Sequence, residues 1–197
     1  MSKRPLTPGE IALAKTVFGD SVDYARVRLH DKRILPPGIQ HKHQAVAKGS
    51  DISFPRDAYA ADFSAETNPQ KQSVFIHELV HVWQHQNRVL STPREALKET
   101  LKHKFNYSKS YLHRLSPDKD LTRYGFEQQA AIIQDFFLFS RHGIAKSYKG
   151  RRLTGESDKD LKQQYEKVLA KFLKDPSYAR GLRDQPRRPK RRSLKPG

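Results

Sequence analysis

Cysteine is absent from all 197 residues. Disulfides, cysteine-ligated zinc sites and thiol nucleophiles are excluded together, while the redox compartment stays open. Long apolar runs are missing as well. Nowhere do about 18 apolar residues follow one another, so no membrane-spanning helix is expected. Residues 1 to 10 carry charge but no apolar stretch and do not read as an ordinary signal peptide. The expectation is a protein cytoplasmic in its producer, with any export by a signal-peptide-independent route. Acidic residues are scarce, 21 against 38 Lys and Arg, giving a net charge of +17. Residues 180 to 197 hold eight of the basic side chains against Asp184 alone. Such a surface favours nonspecific contact with anionic polymers through the tail. An apolar fraction of 36% suits one compact core with exposed helices.

What is present centres on Phe75-Ile-His-Glu-Leu-Val-His-Val-Trp-Gln84. His77, Glu78 and His81 spell H-E-x-x-H. Residues four apart share one face of a helix, so both imidazoles can close on one Zn²⁺. Glu78 then lies beside the ion without binding it, where a carboxylate can take a proton from water. The surroundings support a helix. Asn68-Pro69 is a start signal, Ser91-Thr-Pro93 a stop, and Val74, Leu79, Val80, Val82 and Trp83 make the stretch apolar. Two histidines and a glutamate in such a stripe are costly unless something binds them.

Around this stretch the pattern predicts a short helix from Thr7 to Gly19. A strand over residues 22 to 30 follows; Asp23, Ala25, Val27 and Leu29 share one side, which is apolar from Ala25 on. A hairpin spans 45 to 54 and turns at Gly49-Ser50-Asp51. His41 and His43, at i and i+2, are candidate metal-recruiting residues or exposed loop histidines. Beyond Pro93 come a helix over 94 to 104 and a loop with Tyr107 and Tyr111. Then follow a strongly apolar helix from Phe126 to about Ser140 and an amphipathic helix with Leu161, Tyr165, Val168, Leu169, Phe172 and Leu173 on its face. The expected organisation is one domain over 1–178, with its core at about 7–142 and a C-terminal helix at about 156–174. Residues 179–197 form a disordered basic tail.

A zinc site needs a third protein ligand, and the long motif H-E-x-x-H-x-x-G-x-x-H fails at Gln84 and Asn87. Glu127 ranks first, because a carboxylate among apolar and amide neighbours calls for a cation; its alternative role is to cap its own helix. Asp120, near Tyr124-Gly125, ranks second. His85 ranks third, since it has drifted about 80° around the helix from His77. Asp135 is a candidate to hydrogen-bond the outer nitrogen of a ligand histidine. Tyr124 is either a hydrogen-bond donor to a developing oxyanion or a core tyrosine.

The order of three blocks, residues 23–30, the 45–54 hairpin and residues 75–84, resembles the zincin-like metallopeptidase domain of bacterial Vgr-related and Rhs-associated proteins and polymorphic toxins. The likeness covers about residues 7 to 90. Glu127-Gln-Gln-Ala is similar to a second block of the standalone Vgr-related members. The resemblance implies metal positions at His77 and His81, a catalytic position at Glu78 and a Vgr/Rhs-type secretion-apparatus partner, and it selects no substrate. A peptide or protein substrate is the expectation from the H-E-x-x-H site beside a small sheet.

Together these readings give an α+β, zincin-like fold: a small N-terminal sheet, the active-site helix, and a mostly helical second half. The expected function is a zinc-dependent peptidase with Zn²⁺ on His77, His81 and Glu127. The alternatives are a type VI secretion effector acting on cell-wall amides, a non-catalytic adaptor, and a nonspecific nucleic-acid binder.

Overall fold

A computed structural model describes residues 3–32, 45–89, 115–145 and 158–182. In chain order these form β1 (Lys3–Arg4), α1 (Pro8–Phe18), β2 (Arg28–His30), β3 (Val46–Lys48), β4 (Asp51–Ser53), α2 (Pro69–Gln86), α3 (Phe126–His142) and α4 (Asp158–Lys174), with short 3-10 turns between them. The class is α+β, as the patterning predicts. His41, His43, the helix over 94–104, Tyr107, Tyr111 and the chain beyond 182 lie outside the described residues.

The N-terminal helix starts where its capping signals place it. Thr7 accepts from the Glu10 N–H, and the Glu10 carboxylate reaches back to the Thr7 N–H, a complete capping box. Glu10 does more than cap. Its fully buried carboxylate also accepts two bonds from Arg4, each 2.8 Å, and one from the Phe63 N–H. Four donors thus tie β1, α1 and the Phe63–Ala65 turn to one carboxylate, and the pairing holds the Arg4 guanidinium further above its usual pKa.

The sheet runs β1-β2-β4-β3, antiparallel at both outer pairs and parallel between β2 and β4. The expected hairpin is present, with Gly49 at φ +66° in its turn. The expected strand over 22–30 is not. Tyr24–Arg26 is a 3-10 turn and only Arg28–His30 is extended. The apolar side therefore changes partway: Val22 and Tyr24 are buried while Asp23 and Ala25 are exposed, and alternation resumes only with Val27 and Leu29. The turn rotates the chain so that Tyr24 donates its hydroxyl to the Gly19 carbonyl. Among the described residues β1 and β3 are the outer strands, and α2 packs beneath the sheet on the β3 side.

α2 is capped by Asn68, whose side chain accepts from the Gln70 N–H, and every residue from Phe75 to Gln84 is buried. On one side its Phe75 stacks on Phe63 at 5.1 Å, and Phe63 in turn meets Phe54 at 4.5 Å. Trp83 meets Phe172 of α4 edge-on at 5.2 Å and donates to the Pro176 carbonyl. α3 packs along α2 and ends at Gly143, φ +65°. On α4 the predicted face is buried except Leu173, which is 46% exposed. The docked chain continues past residue 178. Ala179 is fully buried and the Gly181 N–H donates to the Asn87 carbonyl.

Candidate metal centre

The seam between α2 and α3 carries the chemistry. His77 and His81 project from α2 one turn apart, with ring centroids 5.0 Å apart. Glu127 enters from the first turn of α3, its side chain 14% exposed, and its Oε2 lies 3.4 Å from each histidine Nε2. All three ligand atoms fall within 4.8 Å of one another. Atoms sharing a tetrahedral Zn²⁺ at about 2.0–2.2 Å would lie about 3.4 Å apart, so the observed gaps match the edge of such a site. They exceed the roughly 2.7–2.9 Å of a charge-assisted hydrogen bond, and among the described residues Glu127 Oε2 has no hydrogen-bond partner although it is buried.

Two glutamines fix which atoms the histidines present. Gln134 Nε2 donates to Ser73 Oγ, which itself donates to the Gln70 carbonyl, so Gln134 turns Oε1 toward His77 Nδ1 at 2.9 Å. Gln84 Nε2 donates to the Phe126 carbonyl, so its Oε1 faces His81 Nδ1 at 2.9 Å. An amide oxygen only accepts, so each Nδ1 carries its proton and each Nε2 is left facing Glu127, where it can take either a further proton or a metal ion. Two lone pairs and a carboxylate oxygen facing one another require a cation or added protons. The residues present therefore fit a divalent metal.

The electrostatics agree. Burial opposes charge on His81, but the Glu127 carboxylate outweighs it and pushes the ring up to about 9. Burial likewise opposes charge on Glu127, yet His81 and His77 hold it well below the usual carboxylate range. Glu78 goes the other way. Burial raises its pKa, outweighing His81, His77 and the Ala47 backbone N–H, which favour its charged form, and its Oε2 has no hydrogen-bond partner among the described residues.

Residues 6–89 match the eCIS core domain. Over 136 residues the chain is 43% identical to the type VI secretion system spike protein VgrG2b of Pseudomonas aeruginosa. That stretch takes in 68% of this chain and 13% of the spike protein. The solved effector domain of Pseudomonas aeruginosa VgrG2b aligns with a TM-score of 0.61 at 39% identity, over 72% of this chain and 77% of that domain. The chain belongs to the VgrG2b effector-domain family. It is a Vgr-related protein, and the resemblance read from three sequence blocks is supported to that extent.

Within this VgrG2b effector-domain homologue, the structure brings His77, His81 and Glu127 together. Glu127 does not cap its helix: the α3 cap is made by Gln128, whose Oε1 accepts from the Gly125 N–H. Asp120 is engaged elsewhere, accepting from the Thr122 N–H and hydroxyl and from the Tyr178 hydroxyl. His85 is exposed and lies against the Gly49 turn. Asp135 is buried, but the outer nitrogen of His77 is met by Gln134, so the expected histidine partner is displaced by one residue. The Tyr124 hydroxyl accepts from the Ser116 N–H at 2.9 Å and its ring lies under Lys119, which makes it an anchor for the loop before α3. Sequence reasoning missed Gln84 and Gln134. Gln84 registered only as a break in the long zincin motif, and a buried amide carries no motif of its own.

Proposed function

We propose that this chain is a type VI-type secretion effector that hydrolyses an amide bond, using Zn²⁺ held by His77, His81 and Glu127. The observation that carries the reading is the convergence of two glutamine-fixed imidazole nitrogens on an unpartnered carboxylate oxygen, each 3.4 Å away. A Zn²⁺ bound there supplies a Lewis acid toward water and toward a carbonyl oxygen. Glu78, next to His77, holds a buried carboxylate with a raised pKa. It is suited to take a proton from the attacking water and to pass it to the departing nitrogen. The Ala47 N–H of outer strand β3 reaches the same carboxylate, which sets the base beside a sheet edge. An extended chain pairing with β3 through main-chain bonds would present its carbonyls to Glu78. That edge favours a peptide over a compact cell-wall crosslink. Phe126 stacks on His81 at 4.2 Å and keeps water from that face of the ring. The family relationship supports delivery through a Vgr-type apparatus.

The test compares native protein, Glu78→Gln and His77→Ala for bound zinc and for hydrolysis of a mixed peptide library and of purified cell-wall peptides. Glu78→Gln is expected to keep zinc and lose turnover by about 10²–10⁴-fold, and His77→Ala to lose both. Turnover equal to native in Glu78→Gln defeats the reading. Zinc without hydrolysis of either substrate leaves the non-catalytic adaptor.

A further inference from the structure

Both histidines of the centre are backed by neutral amides, and the two amides are wired differently. Gln134 sits on α3 and bonds back to α2 at both ends, its Oε1 to His77 Nδ1 and its Nε2 to Ser73 Oγ. Gln84 sits on α2 and crosses to α3. Its Oε1 takes the His81 proton, while its Nε2 donates to the Phe126 carbonyl and to Gln129 Oε1. Gln129 in turn donates to the Tyr124 carbonyl. The turn that Gln84 grips is the one carrying Glu127.

We infer that Gln134 and Gln84 are positioning residues with opposite tolerance of charge. Gln134 sets how tightly the centre holds its ion, and Gln84 fixes the spacing between His81 and the Glu127 turn. The inference rests on the proposal that these three residues bind metal. The difference lies in what each amide nitrogen faces. Ser73 is a hydroxyl that can turn its proton toward a carboxylate at position 134; the Gln70 carbonyl it leaves is a helix acceptor and is not stranded. A carboxylate outside a ligand histidine makes the ring a stronger donor to metal. At position 84 the nitrogen faces a carbonyl, which has no proton to offer. Flipping Gln129 only moves the conflict, because its oxygen would then meet the Tyr124 carbonyl. Glutamine at 134 is thus a choice of weaker grip, and glutamine at 84 is a geometric necessity.

The experiment measures zinc affinity by competition with a chelator for the full chain and for Gln134→Glu, Gln134→Met and Gln84→Glu. Thermal unfolding of each metal-free variant confirms folding. Gln134→Glu is expected to tighten zinc by about 10-fold, Gln134→Met to loosen it by about 10-fold, and Gln84→Glu to loosen it by about 10–100-fold. The downfield imidazole N–H proton signal of His77 in the zinc-loaded protein should persist in Gln134→Glu and vanish in Gln134→Met. Affinities that move in the same direction for both Gln134 variants overturn the inference, as does Gln84→Glu binding as tightly as native. If Gln84→Glu does not fold, the Gln134 pair decides alone. A native chain that holds no zinc sinks the metal proposal itself, whereas native zinc binding that all three variants share sinks only the roles of the glutamines.

Discussion

Glu10 and Glu127 are both drawn into this fold, and their surroundings could hardly differ more. Glu10 is fully buried and its carboxylate accepts from Arg4 twice, from Thr7 and from Phe63. Nothing about it is left over, and its work is to fasten β1 to α1 and to the turn before α2. Glu127 is nearly as buried, yet its Oε2 faces two imidazole nitrogens at 3.4 Å with no hydrogen bond. A satisfied carboxylate holds structure together. One aimed at other acceptors marks a place where a cation belongs.

The sharpest way to break this contrast is to neutralise each acid in turn. Glu127→Gln should cut zinc affinity by about 100-fold or more, as loss of one of three protein ligands requires. The metal-free unfolding temperature, read above about pH 9 where His81 has lost the proton that Glu127 favours, should stay close to native. Isothermal titration with zinc and calorimetric melting read the two effects separately. Glu10→Ala should do the reverse, leaving zinc affinity intact while costing about 3 kcal/mol of stability, because the half-buried Arg4 loses its partner. Urea titration measures this. If Glu10→Ala spares stability, the distinction between the two acids fails.

Acidity gives a second probe. In metal-free protein the His81 pKa is raised from 6.5 to about 9, chiefly because Glu127 outweighs the opposing effect of burial. A raised folded-state value means this contribution to stability is complete below about pH 6.5. It drains away as pH climbs through about 9. The metal-free melting temperature should therefore fall between those limits, and zinc-loaded protein should show no such fall, since metal replaces the proton. Parallel melting curves with and without chelator check it. The smallest expected effect is Leu173→Lys. Its side chain is 46% exposed, so stability should move by no more than about 0.5 kcal/mol in urea titration.

The elements most legible from sequence were those set by local signals. Thr7 with Glu10, Asn68-Pro69 and Gly143 each ended or began a helix where capping chemistry dictates. The H-E-x-x-H pair and the acid on α3 followed from spacing and from the cost of a carboxylate in an apolar stretch. Residues 22–26 did not follow, because alternation looks the same in a strand and in a 3-10 turn that rotates Tyr24 into the core. Asp135 stands out in the sequence because it carries a charge, whereas the amide of Gln134 that meets His77 is defined only by how α3 rolls against α2. Likewise the chain past Tyr178 looked too basic to dock, but Asn87 accepts from both Gly181 and Arg180.

The three residues of the clamp come from two helices separated by about a fifth of the chain. The eCIS core match stops at residue 89, after His81 and well before Glu127. A fragment cut to that boundary would carry the recognisable signature and still be left with a two-pronged grip. If the three residues hold a metal as proposed, strong capture during synthesis must wait until the second helix has emerged and settled against the first, so uptake of the ion would report that the two halves have met.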